Sequence, residues 1–127
     1  MASDPKNTDK GAIVTLSSQG AGTVTSNTLQ NVNACGVTLV INATAVTGNL
    51  QVTLQGYDNA SASWYNILVG PSITTAETTI MRVYPSITTS NTSTISSYTL
   101  PEWWRVFVTV GGSTPSVTAT VGACLQI

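Results

Sequence analysis

The sequence is short of charge. Its 127 residues include four Lys and Arg, five Asp and Glu and no His, for a formal net charge of -1. Charged residues make up 7% of the chain, where a soluble domain ordinarily carries about 25%. Between residues 11 and 56 the single ionisable side chain is Cys35. Each shortage excludes something. Without His the usual neutral-pH general base is missing, and the abundant serines have no partner base to activate them. Of the acids, Asp4 and Asp9 belong to a polar N-terminal stretch, and nothing in the sequence pairs Asp58, Glu77 and Glu102 as a hydrolase couple. Two Cys and no His give no zinc-finger spacing, so neither a metal nor a cofactor is expected, and no catalytic residue is assigned. Scattered Lys and Arg cannot neutralise a run of phosphates, which argues against nucleic acid.

Long apolar runs are missing too. None approaches the ~20 residues of a membrane-spanning helix, so no membrane partner is expected. The first residues, Met1-Ala2-Ser3-Asp4-Pro5-Lys6, lack the apolar core of a signal peptide, which gives the expectation of a cytoplasmic start. Disorder fits poorly with three Trp and regular β-branched alternation. What remains is a folded protein whose surface is covered by partners, because an isolated domain would carry more charge for solubility. The expected state is therefore an assembly.

What the chain does have is period-two alternation, clearest around Leu100-Pro101-Glu102-Trp103-Trp104-Arg105-Val106-Phe107-Val108-Thr109-Val110. Trp104, Val106, Val108 and Val110 share one face, which reads as core; Trp103, Arg105, Phe107 and Thr109 share the other. Pro101 marks the strand's start and Gly111-Gly112 a turn that ends it. Other strands are expected at 13–17, more weakly at 23–29, at 35–42 with Val37, Leu39 and Ile41 inward, and at 50–55 with Leu50, Val52 and Leu54 inward. A polar loop at 57–63 leads to a strand at 64–69. Pro71-Ser72-Ile73-Thr74-Thr75 recurs as Pro85-Ser86-Ile87-Thr88-Thr89, two similar strand starts flanking 78–84, and 116–125 closes the chain. About eight short strands with Gly, Pro and Asn turns and no long helix predict an all-β, antiparallel β-sandwich or jelly-roll-like domain over residues 11–127, after a flexible or partner-ordered arm at 1–10.

Cys35 falls in phase with the inward residues of its strand and Cys124 out of phase with its own, so two free thiols are expected. Asn42-Ala43-Thr44, Asn59-Ala60-Ser61 and Asn91-Thr92-Ser93 match the glycosylation pattern but read as turns. Exposed aromatics are the positive signal: Trp64, Tyr65, Trp103 and Phe107 either pack in the core, stack on sugars or anchor a protein interface.

Several segments together resemble a known group. These are Leu50-Gln51-Val52-Thr53-Leu54-Gln55-Gly56, Ala60-Ser61-Ala62-Ser63-Trp64-Tyr65-Asn66-Ile67-Leu68, Arg82-Val83-Tyr84-Pro85, Leu100-Pro101 with Trp104-Arg105-Val106, and Val121-Gly122-Ala123. They are similar to small proteins encoded among the head genes of tailed bacteriophages, which resemble capsid decoration, or cement, proteins. The likeness covers roughly residues 35–127. One departure is Glu102-Trp103, where that family would be expected to carry a basic or small polar pair. The resemblance implies a non-enzymatic virion subunit, made in the bacterial cytoplasm. It would bind the major capsid protein on the shell exterior beside other copies of itself, with a trimer suggested by capsid symmetry. The candidate interface is Asp4, Lys6, Lys10, Trp64, Tyr65, Trp103, Arg105 and Phe107. The alternative reading is a carbohydrate-binding or host-adhesion module using the exposed Trp and Tyr.

Overall fold

Alternating β-branched residues cannot bury one side of an extended chain without neighbouring strands to cover the other. In the computed structural model, which describes residues 9–85, 87 and 92–126, that need is met by eight strands and, among those residues, no helix. They are β1 (Asp9–Gln19), β2 (Gly22–Thr25), β3 (Leu29–Gln30), β4 (Gly36–Asp58), β5 (Ser63–Val69), β6 (Glu77–Tyr84), β7 (Ile95–Ser97) and β8 (Trp103–Gln126). The all-β expectation holds, with every pairing antiparallel except β6 with β7. All eight strands belong to one hydrogen-bonded sheet. Residues 1–8 of the expected arm, Ser86, Thr88 and Thr89 of the second Pro-Ser-Ile-Thr-Thr copy, and Asn91 of its glycosylation pattern lie outside the described residues.

The expected strand count is right for a different reason than the sequence suggested. Residues 35–42 and 50–55 are not two strands but parts of β4, and 103–110 and 116–125 are both parts of β8. These two long strands pair from Gly36–Gln126 at one end to Gly56–Trp104 at the other. Gly111-Gly112 therefore bends β8 and does not reverse it. The expected weak strand at 23–29 is split into β2 and β3. Between them the Ser26 hydroxyl accepts the Val106 N–H, at 2.9 Å, in place of a ladder carbonyl. In the first Pro-Ser-Ile-Thr-Thr copy only Ile73 pairs, as an isolated bridge to Leu50. Asn42-Ala43-Thr44 lies inside β4 and is not a turn.

Both long strands change phase at the bend. In β4 the buried positions are Val37, Leu39, Ile41 and Ala43, then Leu50, Val52 and Leu54. In β8 they are Trp104, Val106, Val108 and Val110, then Val117, Ala119, Val121 and Ala123. Thr44 is an extra residue between the Ala43–Ala119 and Ala45–Thr118 pairs, and residues 112–115 are extra opposite Gly48. Each insertion flips the alternation once, so the inward face stays inward around the corner. Two halves result. The C-terminal part of β8 and the start of β4 lie among β1, β6 and β7; the start of β8 and the rest of β4 lie among β2, β3 and β5. Their inner faces form one core cluster. A β-carbon at Gly70, in the second half, would stand 2.9 Å from the sulfur of Met81 in the first.

Candidate functional site

The outward residues of the two halves differ in kind. In the second half, register sets side chains in rows across β5, β4 and β8. Tyr57 faces Trp64, and Trp103 stands one position beyond the Gly56–Trp104 pair, which makes an aromatic row. The next row is Asn66, Gln55 and Arg105, followed by Val69, Thr53, Phe107 and, on β2, Thr25.

The first two rows are interlocked. The Arg105 guanidinium lies 4.2 Å from the centre of the Trp64 ring, a cation–π stack. Its Nε donates to the Gln55 Oε1 at 2.8 Å, and the Gln55 amide donates to the Asn66 Oδ1 at 2.9 Å. Tyr57 meets Trp64 edge to face, with ring centres 5.0 Å apart. Trp64 is thus held on two sides. Trp103, by contrast, has no ring or cation partner among the described residues. Between them runs an open groove of about 280 Å³ lined by Thr28, Tyr57, Asn59, Trp64 and Trp103.

The turn that carries Asn59 is braced by Asp58. Its carboxylate accepts from the Ser61 hydroxyl at 2.7 Å and from the Ala60 and Ser61 amides at 3.2 and 3.3 Å. Those bonds, that from the Ser61 hydroxyl first, hold its pKa below the ordinary carboxylate value. The carboxylate is occupied in holding the turn. Next to Trp103 in the chain, the Glu102 carboxylate accepts from the Gln30 side-chain amide at 3.1 Å. No cluster of three or more His, Cys, Asp or Glu able to hold a metal occurs among the described residues.

The sequence candidates separate accordingly. Trp64, Trp103, Arg105 and Phe107 share the outer face of the second half, each partly buried. Tyr65 does not join them. One residue on from Trp64, it points to the other side, where its ring covers Gly56 and meets Tyr98 edge to face, with the two hydroxyls 3.3 Å apart. Lys10 is exposed on β1, beside the opposite end of the β4–β8 ladder. Asp4 and Lys6 lie outside the described residues. Thr28, Gln55, Tyr57 and Asn59 were missed as site residues, although pairing Tyr57 with Trp64 across the polar turn would have found the last three.

In the first half most of the outward side chains are small. Arg82, Thr38, Cys124 and Asp9 stand in register across β6, β4, β8 and β1. Ile80, Val40, Gly122 and Ala12 follow, then Thr78, Asn42, Thr120 and Thr15. Ile80 is 45% and Val40 39% exposed, so the middle row is an apolar strip, with Thr and Asn side chains in the row on one side and Arg82, Thr38 and Cys124 in the row on the other. Cys35 and Cys124 are free thiols, the second exposed beside this strip. Comparison with protein-family models, with curated proteins and with solved structures finds no match to this chain.

Proposed function

We propose that this chain is a non-enzymatic decoration or cement subunit of a tailed-bacteriophage capsid, seated on the major capsid protein from outside, with copies of itself grouped as trimers. It would be made in the host cytoplasm and work on the capsid exterior. The observation that carries the reading is the weakly charged outer face of the first half. Four strands present a Val, Ile, Ala and Gly strip, with Thr and Asn in the row on one side and Arg82, Thr38 and Cys124 in the row on the other. Such a face can close against another protein with little charge to desolvate, and its hydroxyls can find partners across the contact. β1 begins at Asp9, in register with Cys124 of β8. Many copies on a symmetric shell would turn weak single contacts into firm attachment.

The proposed contact surface differs from the one expected from the sequence. On the outer face of residues 103–109 Arg105 is turned onto Trp64 and Gln55, while Trp103 lines the open groove. The Val40–Ile80 strip is the broader exposed aliphatic surface, so we take it as the docking surface in place of that face, together with the 1–10 segment. The test is co-sedimentation with expanded shells of the parent phage lacking this subunit. Deleting 1–10, or introducing Val40→Asp with Ile80→Asp, is expected to weaken binding by at least about tenfold, the loss typical of disrupting an interface anchor. Circular dichroism should stay near that of the parent, because Val40 and Ile80 face outward, with the melting temperature of the double variant lowered modestly by two like charges set opposite each other on β4 and β6. Undiminished sedimentation of both variants would overturn the reading.

A further inference from the structure

We infer that the groove between Trp64 and Trp103 is a binding site for a neutral saccharide. A pyranose ring has an apolar C–H face and a rim of hydroxyls, so its receptor needs flat aromatic surface beside amide and hydroxyl groups. The groove supplies that pairing. Trp103 offers an indole with no ring or cation partner among the described residues, Trp64 and Tyr57 form the facing wall, and Asn59 and Thr28 stand on the rim with amide and hydroxyl.

Two further features fit this class of ligand. No carboxylate, amine or guanidinium lines the groove, and the nearest cation, Arg105, is turned onto Trp64 and Gln55. Nothing there selects for an acidic sugar or a phosphate. The walls are also fixed before any ligand arrives: Trp64 is held by Arg105 and Tyr57, and the turn bearing Asn59 is tied by three hydrogen bonds to Asp58. Side chains already immobile lose little entropy on binding, which is how a small open site gains useful affinity. At about 280 Å³ the groove lies at the low end of small-ligand pockets, roughly 300 Å³, sized for one or two sugar rings.

Binding here is independent of docking through the first half, whose exposed strip lies beside the other end of the β4–β8 ladder. The two can fail separately. The test is titration of the full chain with cellotriose and with the β-linked N-acetylglucosamine trimer, followed by tryptophan fluorescence. A trigalacturonate serves as the anionic comparison. Trp104 is 0% exposed, so the response reports Trp64 and Trp103. The expected result is saturable binding of at least one neutral probe in the millimolar range. It should weaken about tenfold or more in Trp103→Ala, weaken in Asn59→Ala, and stay unchanged in Tyr98→Phe, which lies outside the groove. Should Trp103→Ala fail to fold, Asn59→Ala on its exposed turn decides. No saturable response to either neutral probe, a response confined to the trigalacturonate, or full affinity in the deciding variant would overturn the inference.

Discussion

At the scale of single residues, alternation was a good guide wherever a strand stayed straight. Trp104, Val106, Val108 and Val110 are all at most 2% exposed, and the residues between them are half-buried, as a period of two requires. Tyr65 was grouped with Trp64 because both are aromatic, although neighbours in a strand face opposite sides. Asn31 escaped notice entirely. Its amide donates to the carbonyls of Ala34 and Leu100 at 2.7 and 3.0 Å, and its Oδ1 accepts from the Ala34 N–H. One partner lies 69 positions away, so no local pattern could mark this Asn among so many. The misplaced Tyr65 nonetheless yields a prediction. Burial, then its bond to Tyr98, push its pKa up to about 12. The folded chain therefore holds a proton that the unfolded chain loses near pH ~10. The stability linked to this group is fully present below that pH and drains away as pH rises toward 12. An alkaline titration followed by phenolate absorbance should show one phenol ionising late. In Tyr98→Phe that step should move down only part of the way, because burial remains. A full return to the ordinary value would assign the whole shift to the hydrogen-bonded pair.

At the scale of elements, the strands were read correctly as strands and wrongly as separate ones. A reversal and a bend both interrupt the alternation, and glycine favours both, so local pattern could not distinguish them. What distinguishes them is pairing. Thr47–Ser116 and Asn49–Gly111 keep β4 and β8 together through the corner. Gly48 and Gly112 have φ of +91° and +112°, a region side-chain-bearing residues rarely enter. They also touch: a β-carbon on Gly48 would lie 2.4 Å from the Gly111 carbonyl oxygen, and one on Gly112 2.9 Å from the Gly48 Cα. Gly48→Ala is expected to cost about 1–3 kcal/mol from backbone strain, with the clash acting in the same direction. Gly20→Ala should be nearly silent, since nothing lies within 4 Å of a β-carbon there. Urea denaturation of the two variants measures this. Equal midpoints would mean that the corner relaxes freely.

At the scale of the whole molecule, the scarcity of charge makes a quantitative claim about how the chain associates. Contacts carried by ions weaken as salt rises, because the screening length shrinks from ~10 Å at 0.1 M to ~3 Å at 1 M. Contacts carried by apolar and hydroxyl surface do not, and excluded salts strengthen them slightly. The proposed shell contact has one source of each kind. The Val40–Ile80 strip is uncharged, with Arg82 the one charge in the β6, β4 and β8 rows beside it, whereas residues 1–10 hold Asp4, Lys6, Asp9 and Lys10, four of the chain's nine charged side chains. If the strip dominates, affinity for shells should change by less than about threefold between about 0.05 and 0.5 M sodium chloride. Deleting 1–10 should then leave a weaker contact that is flatter still with salt. If the charges of the segment dominate, affinity should fall steeply over the same range, and Val40→Asp with Ile80→Asp should matter little. Measuring both variants at both salt concentrations separates the contributions. A steep salt dependence in the parent, unaltered by changing the strip, would remove the first-half face from the contact and leave the segment as its carrier.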